Sequence, residues 1–181
     1  GFLKSGEVKA MKMRAVDDIG AYSGRSPLQL GKPVGAIVGP YRIQSVEYDA
    51  MAVMTHKTPQ EAVRGFGQAP TNYAIETGID KIARFLNMDR IALRRVNLIG
   101  KDEFPYLIPS GTHYDSGDYD TVMTKALNTA AFDELVKERD ALRSQGLLAG
   151  IGISTCLEPS GGNSSFEPLF NPKNETTTWM D

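Results

Sequence analysis

The sequence predicts an α+β fold, with strands near both ends of the chain and helices in its middle. Residues 8–16 and 41–55 have the alternating or β-branched patterns of strands, whereas residues 75–86 have the spacing of an amphipathic helix. A further apolar run at residues 147–157 is typical of a buried strand. A chain of 181 residues can form one ordinary domain or a portion of a larger one.

The two N-terminal strands are predicted from the arrangement of their side chains. Lys12 and Arg14 alternate with apolar neighbours within residues 8–16, as in a half-buried strand. Residues 20–32 are rich in Gly, Ser and Pro and are expected to form a loop. The β-forming residues then return over residues 41–55, which predict a second extended segment.

The helices in the middle of the chain are predicted because the apolar residues there recur every three to four positions. Asp89 is expected to cap a short second helix that ends near Gly100. Residues 101–118 are predicted to be an ordered surface loop, and residues 119–128 and 130–145 a pair of helices. The apolar face of the first helix is formed by Ile75, Ile79, Ile82, Ala83 and Leu86.

Composition excludes several functional classes. The formal net charge of -2 provides no basic excess for nucleic acid, and no apolar run is long enough to span a membrane. The local cluster of Arg90, Arg94 and Arg95 is interpreted as a solvated helix face. The single cysteine, Cys156, is interpreted as a core thiol and indicates a reducing compartment, so a cytoplasmic location is expected.

The candidate site is the Arg-Gly-Phe-Gly loop, residues 64–67, which precedes the first long helix. Gly65 and Gly67 permit positive φ and close approach to the backbone, and a helix N-terminus attracts anions and oxygen ligands. Phe66 on such a loop either fills the core or faces a flat ligand. From the residues alone a plain turn is favoured over a ligand loop, because neither a dinucleotide fingerprint nor a phosphate-loop lysine is present.

Other polar clusters are interpreted as structural. Asp115, Asp118 and Asp120 lack the closing glutamate of a calcium loop, so turn formation and helix capping are favoured. The two histidines are too few for a histidine-based metal site, and their spacing supports no catalytic triad. No metal ligand and no catalytic residue is therefore predicted in the chain.

Several motifs occur in an order that resembles a known family. These are "VDDIGAYS", "VRGFGQAP", "YAIETGIDKIARFLNMDRIALRRVNLI" and "FPYLIPSGTHYDSGDY". Together they resemble the molybdenum-binding large subunit of the xanthine dehydrogenase, aldehyde oxidase and carbon monoxide dehydrogenase family. The chain opens on Gly1 and closes on a β-prone run at residues 176–181. Residues 1–181 are therefore expected to be one segment of the molybdopterin-binding domain, truncated at both ends.

The resemblance implies a hydroxylase that oxidises an aldehyde or N-heterocycle with oxygen from water. Its cofactor would be molybdenum held by molybdopterin, as a cytosine dinucleotide, with iron–sulfur clusters and FAD on other domains or subunits. By resemblance, Arg64 lies at the molybdenum centre, with its backbone amide directed at the ligands of the metal. Gly65 and Gly67 would allow the cofactor to approach, and Phe66 would pack on a small-molecule substrate ring.

Two departures from the family pattern limit what this segment can do. Carbon monoxide dehydrogenases carry a copper-binding cysteine at the position of Gly65, so copper chemistry is disfavoured. The catalytic glutamate of the family lies beyond the matched residues, and neither Glu158 nor Glu167 is assigned as the base. The isolated segment is therefore expected to be inactive. The alternative hypothesis is a non-catalytic binding or protein-interaction domain with the same fold.

Overall fold

The structure is a computed structural model that describes residues 1–158, and it has the predicted α+β content. Two strands, β1 (Ala10–Gly20) and β2 (Ser45–Met54), form a parallel pair and confirm the N-terminal strand predictions. Parallel strands need a crossover connection. Here it contains a short helix, α1 (Leu28–Gly31), followed by a 3-10 turn (Lys32–Ala36).

The predicted helices are all present. The first long helix, α2, starts earlier than its apolar pattern suggested, and Asp89 caps α3 by accepting the N–H groups of Ile91 and Ala92 at 2.9 and 2.8 Å. The helical pair near residues 119–145 is also confirmed. The helices are α2 (Gln68–Leu86), α3 (Arg90–Asn97), α4 (Tyr119–Thr129) and α5 (Phe132–Ser144).

The core is built from the buried stripes of α2 and α3 and the segment of residues 36–43, and side chains of β1 and β2 pack against it as partly buried neighbours. The outer face of the strands carries ion pairs, with Lys12 2.6 Å from Glu47 and Arg14 3.5 Å from Asp49. The predicted apolar face of α2 is the buried one, apart from partly buried positions at its end. Its core neighbours include Ile37, Val38, Tyr41, Ile43, Leu93 and Ile99.

Three segments differ from the prediction. Residues 20–32, predicted to be a loop, contain α1 and the start of the 3-10 turn. Residues 101–118, predicted to be a loop, contain a small antiparallel hairpin of β3 (Tyr106–Leu107) and β4 (His113–Tyr114). The prediction of a buried strand at residues 147–157 is wrong: these residues form no strand, and Leu147 and Leu148 are exposed. No strand within residues 1–158 pairs with this segment, which is attached to the helices by side chains instead. The β-prone run at residues 176–181 and Glu167 lie outside the described residues.

Two single-residue interpretations are also wrong. Arg94 is fully buried, so the basic cluster on α3 is not a solvated face throughout. Cys156 is exposed, because inward and outward positions alternate over residues 151–158 and the cysteine falls on the outward side. Within the described part of the chain, no helix is long and apolar enough to cross a membrane.

Candidate functional site

The Arg-Gly-Phe-Gly loop forms a turn that leads into α2. Gly65 and Gly67 have φ angles of 86° and 74°, which L side chains rarely adopt. A Cβ on Gly67 would overlap the carbonyl oxygen of Gln29 and lie 2.9 Å from Cγ of Pro33, so packing requires this glycine. At Gly65 the nearest atoms to such a Cβ are the carboxylate oxygens of Glu158, at 3.8 and 3.9 Å. Apart from that carboxylate, residues 1–158 therefore leave the backbone at Gly65 open to close approach by another molecule.

Neither large side chain of the loop belongs to the core. Arg64 is exposed and forms no hydrogen bond or ion pair with any residue in the range 1–158. Phe66 is half-buried and lies outside the hydrophobic core cluster. The Nζ atom of Lys32 lies 5.0 Å from the centroid of the Phe66 ring, which is within the range of a cation–π interaction.

An ion pair lies beside the loop and joins a residue that contacts Phe66 to a residue that lies near Gly65. Nζ of Lys32 lies 2.6 Å from Oε1 of Glu158, and the two side chains are 17% and 43% exposed. Because Glu158 is well exposed, solvent screens the attraction, which contributes about 1 kcal/mol or less. The pair holds a cation over the Phe66 ring and places a carboxylate beside Gly65.

The helix that follows the loop, α2, shares a buried ion network with α3. Nη2 of Arg94 lies 2.7 Å from Oε2 of Glu76, and Nη1 lies 2.9 Å from Oδ1 of Asp80. Burial by itself lowers the pKa of Arg94, but the Glu76 carboxylate and the hydrogen bonds to Glu76 and Asp80 outweigh it. The net effect is a raised pKa, so this guanidinium stays charged inside the fold.

The same network anchors residues 151–157, which lead to Glu158. Nη2 of Arg94 donates to the carbonyl oxygen of Ile153 at 3.1 Å, and the hydroxyl of Thr155 donates to Oε1 of Glu76 at 2.8 Å. Buried charge pairs with several hydrogen bonds are rigid because any displacement leaves charge unpaired. The position of Glu158 beside the loop is therefore set by contacts on two helices.

A buried amide that has no partner among residues 1–158 lies directly after the loop. Gln68 is 2% exposed, and neither Nε2 nor Oε1 has a hydrogen-bond partner in the described part of the structure. Oγ of Ser26 and Oδ1 of Asn72 also lack partners there. Buried polar groups are normally paired. Unpaired amide atoms next to an open backbone fit a site that binds a polar cofactor.

The acidic residues of the hairpin region have structural roles, as predicted. Asp118 caps α4 by accepting the N–H of Thr121 at 3.0 Å, and this hydrogen bond lowers the pKa of Asp118. Asp120 pairs with Arg95 at 2.9 Å, and Asp115 accepts the N–H of the next residue. Within residues 1–158, no three His, Cys, Asp or Glu side chains converge on a possible metal position.

Comparison with known families identifies the domain type. Residues 1–98 match the molybdopterin cofactor-binding domain, and this span contains the whole Arg-Gly-Phe-Gly loop. The chain belongs to this family. The resemblance found in the sequence motifs is confirmed, and the fold is that of a segment of a molybdenum-cofactor-binding domain.

Individual relatives of this molybdopterin cofactor-binding domain are subunits of oxidoreductases. Subunit gamma of the 6-hydroxypseudooxynicotine dehydrogenase complex from Paenarthrobacter nicotinovorans is 29% identical over 86% of this chain and 20% of its own length. The carbon monoxide dehydrogenase large chain of Hydrogenophaga pseudoflava is 31% identical over 88% of this chain and 21% of its own. The structure of quinoline 2-oxidoreductase from Pseudomonas putida 86 matches 79% of this chain and 19% of that chain, with a TM-score of 0.71 at 27% identity. The chain thus spans about a fifth of the length of these relatives.

The sequence predicted the loop of this molybdopterin cofactor-binding domain but not the groups around it. Lys32 and Glu158 are 126 positions apart, and no local pattern connects them. Gln68 carried a usable signal, because the helical period of the buried α2 face extends back from Ile75 through positions 72 and 68.

Proposed function

We propose that this molybdopterin cofactor-binding domain contributes one loop of the cofactor and substrate site of a molybdenum hydroxylase. The reaction would be the oxidation of an aldehyde or N-heterocycle with oxygen from water. The observation that carries the proposal is the backbone at Gly65, which residues 1–158 leave open, beside Arg64, whose side chain has no partner among the same residues; both lie inside the residues that match the family. Molybdenum bound to molybdopterin would supply the oxidising centre. Because the chain spans about a fifth of its relatives, residues 1–181 are proposed as one segment of a longer large subunit, inactive by itself.

Each residue of the loop has a proposed role. Arg64 would bind oxygen atoms of the cofactor site, because a guanidinium presents a planar set of N–H donors and its charge here is not neutralised by residues 1–158. Gly65 would admit the cofactor to the backbone, and Gly67 would fix the turn against α1. Phe66 would offer its ring face to a flat substrate, with Lys32 restricting the movement of that ring.

Copper-dependent oxidation of carbon monoxide is not part of the proposal. A copper-binding cysteine would have to replace Gly65, where the φ angle of 86° disfavours any L side chain. This argument applies even though large chains of carbon monoxide dehydrogenases are among the relatives.

The remaining parts of the enzyme are proposed to lie outside this segment. We infer that the cofactor is the cytosine dinucleotide form of molybdopterin, that partner domains or subunits carry iron–sulfur clusters and FAD, and that other parts of the large subunit supply the catalytic base. One cysteine in 181 residues supports this division and a cytoplasmic location. The non-catalytic alternative is not favoured, because the relatives are dehydrogenases and hydroxylases.

The test uses the full-length large subunit in its complex. Molybdenum is measured by plasma mass spectrometry and pterin by the fluorescence of its oxidised form, and each is expected at about one per large subunit. Arg64→Met is then compared with Arg84→Met, an exposed arginine on α2 that has no partner within residues 1–158. Removing a charged donor from a reaction centre typically lowers the rate about 100-fold or more.

The expected result is a fall in kcat/KM of that size for Arg64→Met and little change for Arg84→Met. A full-length complex with neither molybdenum nor pterin would overturn the proposed function. Equal kcat/KM values for the two variants would instead remove the loop from the active site, while leaving the cofactor assignment in place.

A further inference from the structure

Gln68 is a buried amide whose hydrogen-bonding atoms residues 1–158 do not satisfy. It is the first residue of the 19-residue helix α2, and only 2% of it is exposed. Both its Nε2 donor and its Oε1 acceptor are without a hydrogen-bond partner among residues 1–158. Leaving a buried polar group unpaired is unfavourable, so such a group in a folded protein calls for an explanation.

The other buried amides show what a structural role looks like in this protein. Asn97 accepts the N–H of Val8 at 2.8 Å and donates to the carbonyl oxygens of Gly6 and Leu93 at 2.9 and 2.8 Å. Asn72, one turn after Gln68, donates to Oγ of Ser154 at 3.0 Å. Gln68 alone among these three has neither of its polar atoms bonded within the described residues.

The position of Gln68 associates it with the candidate site. Its backbone N–H donates to the carbonyl oxygen of Gly65 at 3.1 Å, so the residue is part of the turn itself. Side chains on an α-helix lean towards the N-terminus of the helix, and the Gln68 amide accordingly belongs to the end of α2 at which the loop lies.

We propose that the side-chain amide of Gln68 is a cofactor contact that pairs with the pterin ring. This proposal rests on the proposed function, because it requires molybdopterin to occupy the loop. An amide offers a donor group and an acceptor side by side, and neither group of Gln68 is paired within the described part of the chain. The lactam and amidine edges of a pterin likewise combine donors and acceptors, so both atoms would be satisfied together. A phosphate only accepts hydrogen bonds and would leave Oε1 unpaired.

The test compares Gln68→Met with Gln145→Met in the full-length complex. Methionine has nearly the shape of glutamine and removes both polar atoms, and Gln145 is exposed at the end of α5. Two quantities are measured: the rate at which molybdenum and pterin are lost in mild urea, and the Tm of the cofactor-free protein. Loss of two hydrogen bonds is expected to make cofactor release about 10-fold faster in Gln68→Met.

The Tm of the cofactor-free protein separates a cofactor contact from a structural role. If the amide is unpaired until cofactor binds, Gln68→Met leaves this Tm unchanged or raises it, because an unsatisfied buried group has been removed. A lower Tm with unchanged cofactor release would show that another part of the protein satisfies Gln68 and would overturn the proposal. Unchanged release with an unchanged Tm would also overturn it.

A second variant, Gln68→Glu, tests the kind of ligand atom. It keeps one acceptor, removes the donor and adds a negative charge, so faster release is expected for a pterin edge and also for a phosphate. Comparison of the two variants distinguishes the ligands: charge repulsion would make a phosphate leave Gln68→Glu faster than Gln68→Met, whereas a pterin edge would keep one hydrogen bond to Gln68→Glu and leave it no faster than Gln68→Met. A crystal structure of the loaded complex must show both amide atoms within hydrogen-bond distance of the ring, and a phosphate there instead would refute the assignment. A wild-type complex without molybdopterin would refute the proposed function itself.

Discussion

Gly65 and Gly67 have similar backbone conformations for different physical reasons. Both have positive φ angles, which alone favours glycine. Gly67 also packs so closely against Gln29 and Pro33 that no Cβ fits, whereas beside Gly65 the described residues leave the space open as far as the Glu158 carboxylate. The first glycine therefore leaves room for a ligand, and the second maintains the fold of the turn.

This difference predicts unequal losses of stability on substitution by alanine. Gly65→Ala introduces only backbone strain and is expected to lower the free energy of unfolding by about 1–2 kcal/mol. Gly67→Ala adds a steric overlap with backbone and is expected to cost about 1–3 kcal/mol more. Urea unfolding of the two variants and the wild-type chain measures both. Equal losses would contradict the packing explanation for Gly67.

At the scale of secondary-structure elements, the sequence predicted what is encoded locally. The helices were predicted because their apolar period and the Asp89 cap are visible within a few residues, β1 because its side chains alternate, and β2 because β-forming residues cluster over residues 41–55. Residues 151–157 were misjudged because their attachments are distant. The bonds from Thr155 to Glu76 and from Arg94 to Ile153 span 79 and 59 positions.

The candidate site divides in the same way. The turn at residues 64–67 could be predicted from four consecutive residues, whereas the pairing of Lys32 with Glu158 depends on the tertiary fold. The burial of Arg94 was also misjudged, because a run of arginines on a short helix is indistinguishable by pattern from a solvated face. The sequence could not show which charged side chains from different helices, strands and loops lie next to each other in the fold.

The buried ion network between α2 and α3 predicts a large loss of stability when Arg94 is replaced. Arg94→Met would leave the Glu76 carboxylate, whose side chain is 6% exposed, without its cation. The free energy of unfolding is expected to fall by about 3–5 kcal/mol, the usual cost of removing one partner of a buried ion pair. The matched control is Arg95→Met, which breaks an exposed pair with Asp120 and should cost about 1 kcal/mol or less.

A double variant tests whether the unpaired charge of Glu76 causes the loss of stability in Arg94→Met. Glu76→Gln removes the charge of the carboxylate but can still accept the hydrogen bonds of Tyr41 and Thr155. Arg94→Met combined with Glu76→Gln should therefore be more stable than Arg94→Met alone, as measured by urea unfolding. If the double variant is the less stable of the two, lost packing and not unpaired charge explains the effect.

At the scale of the whole molecule, tyrosines inside the core link stability to pH. Tyr41 is fully buried and its hydroxyl donates to Oε1 of Glu76 at 2.5 Å, while Tyr114 donates to the carbonyl oxygen of Gly39 at 3.1 Å. Burial raises the pKa of both phenols, and the Glu76 carboxylate raises that of Tyr41 further. The folded protein therefore favours the protonated form of both phenols.

The sign of the pH dependence follows from these raised pKa values. Below about pH 10, where an unfolded tyrosine is protonated, the contribution of each phenol to stability is fully present. As the pH rises beyond that value towards the folded-state pKa, the unfolded chain ionises first. The free energy of unfolding then falls by about 1.4 kcal/mol per pH unit for each buried tyrosine.

The free energy of unfolding should consequently fall steeply as the pH rises above about 10. Removing one core phenol should make this fall less steep. Tyr41→Phe is expected to be less stable than wild type at pH 8, because a hydrogen bond to Glu76 is lost, yet to lose stability more slowly between pH 10 and pH 11. Tyr73→Phe is the control, since Tyr73 is 74% exposed and should leave the slope unchanged. Urea midpoints at each pH give the slopes, and lysine ionisation cancels because it is common to all three proteins. A slope for Tyr41→Phe as steep as that of wild type would mean that Tyr41 ionises within the folded protein, and that its burial does not control alkaline stability.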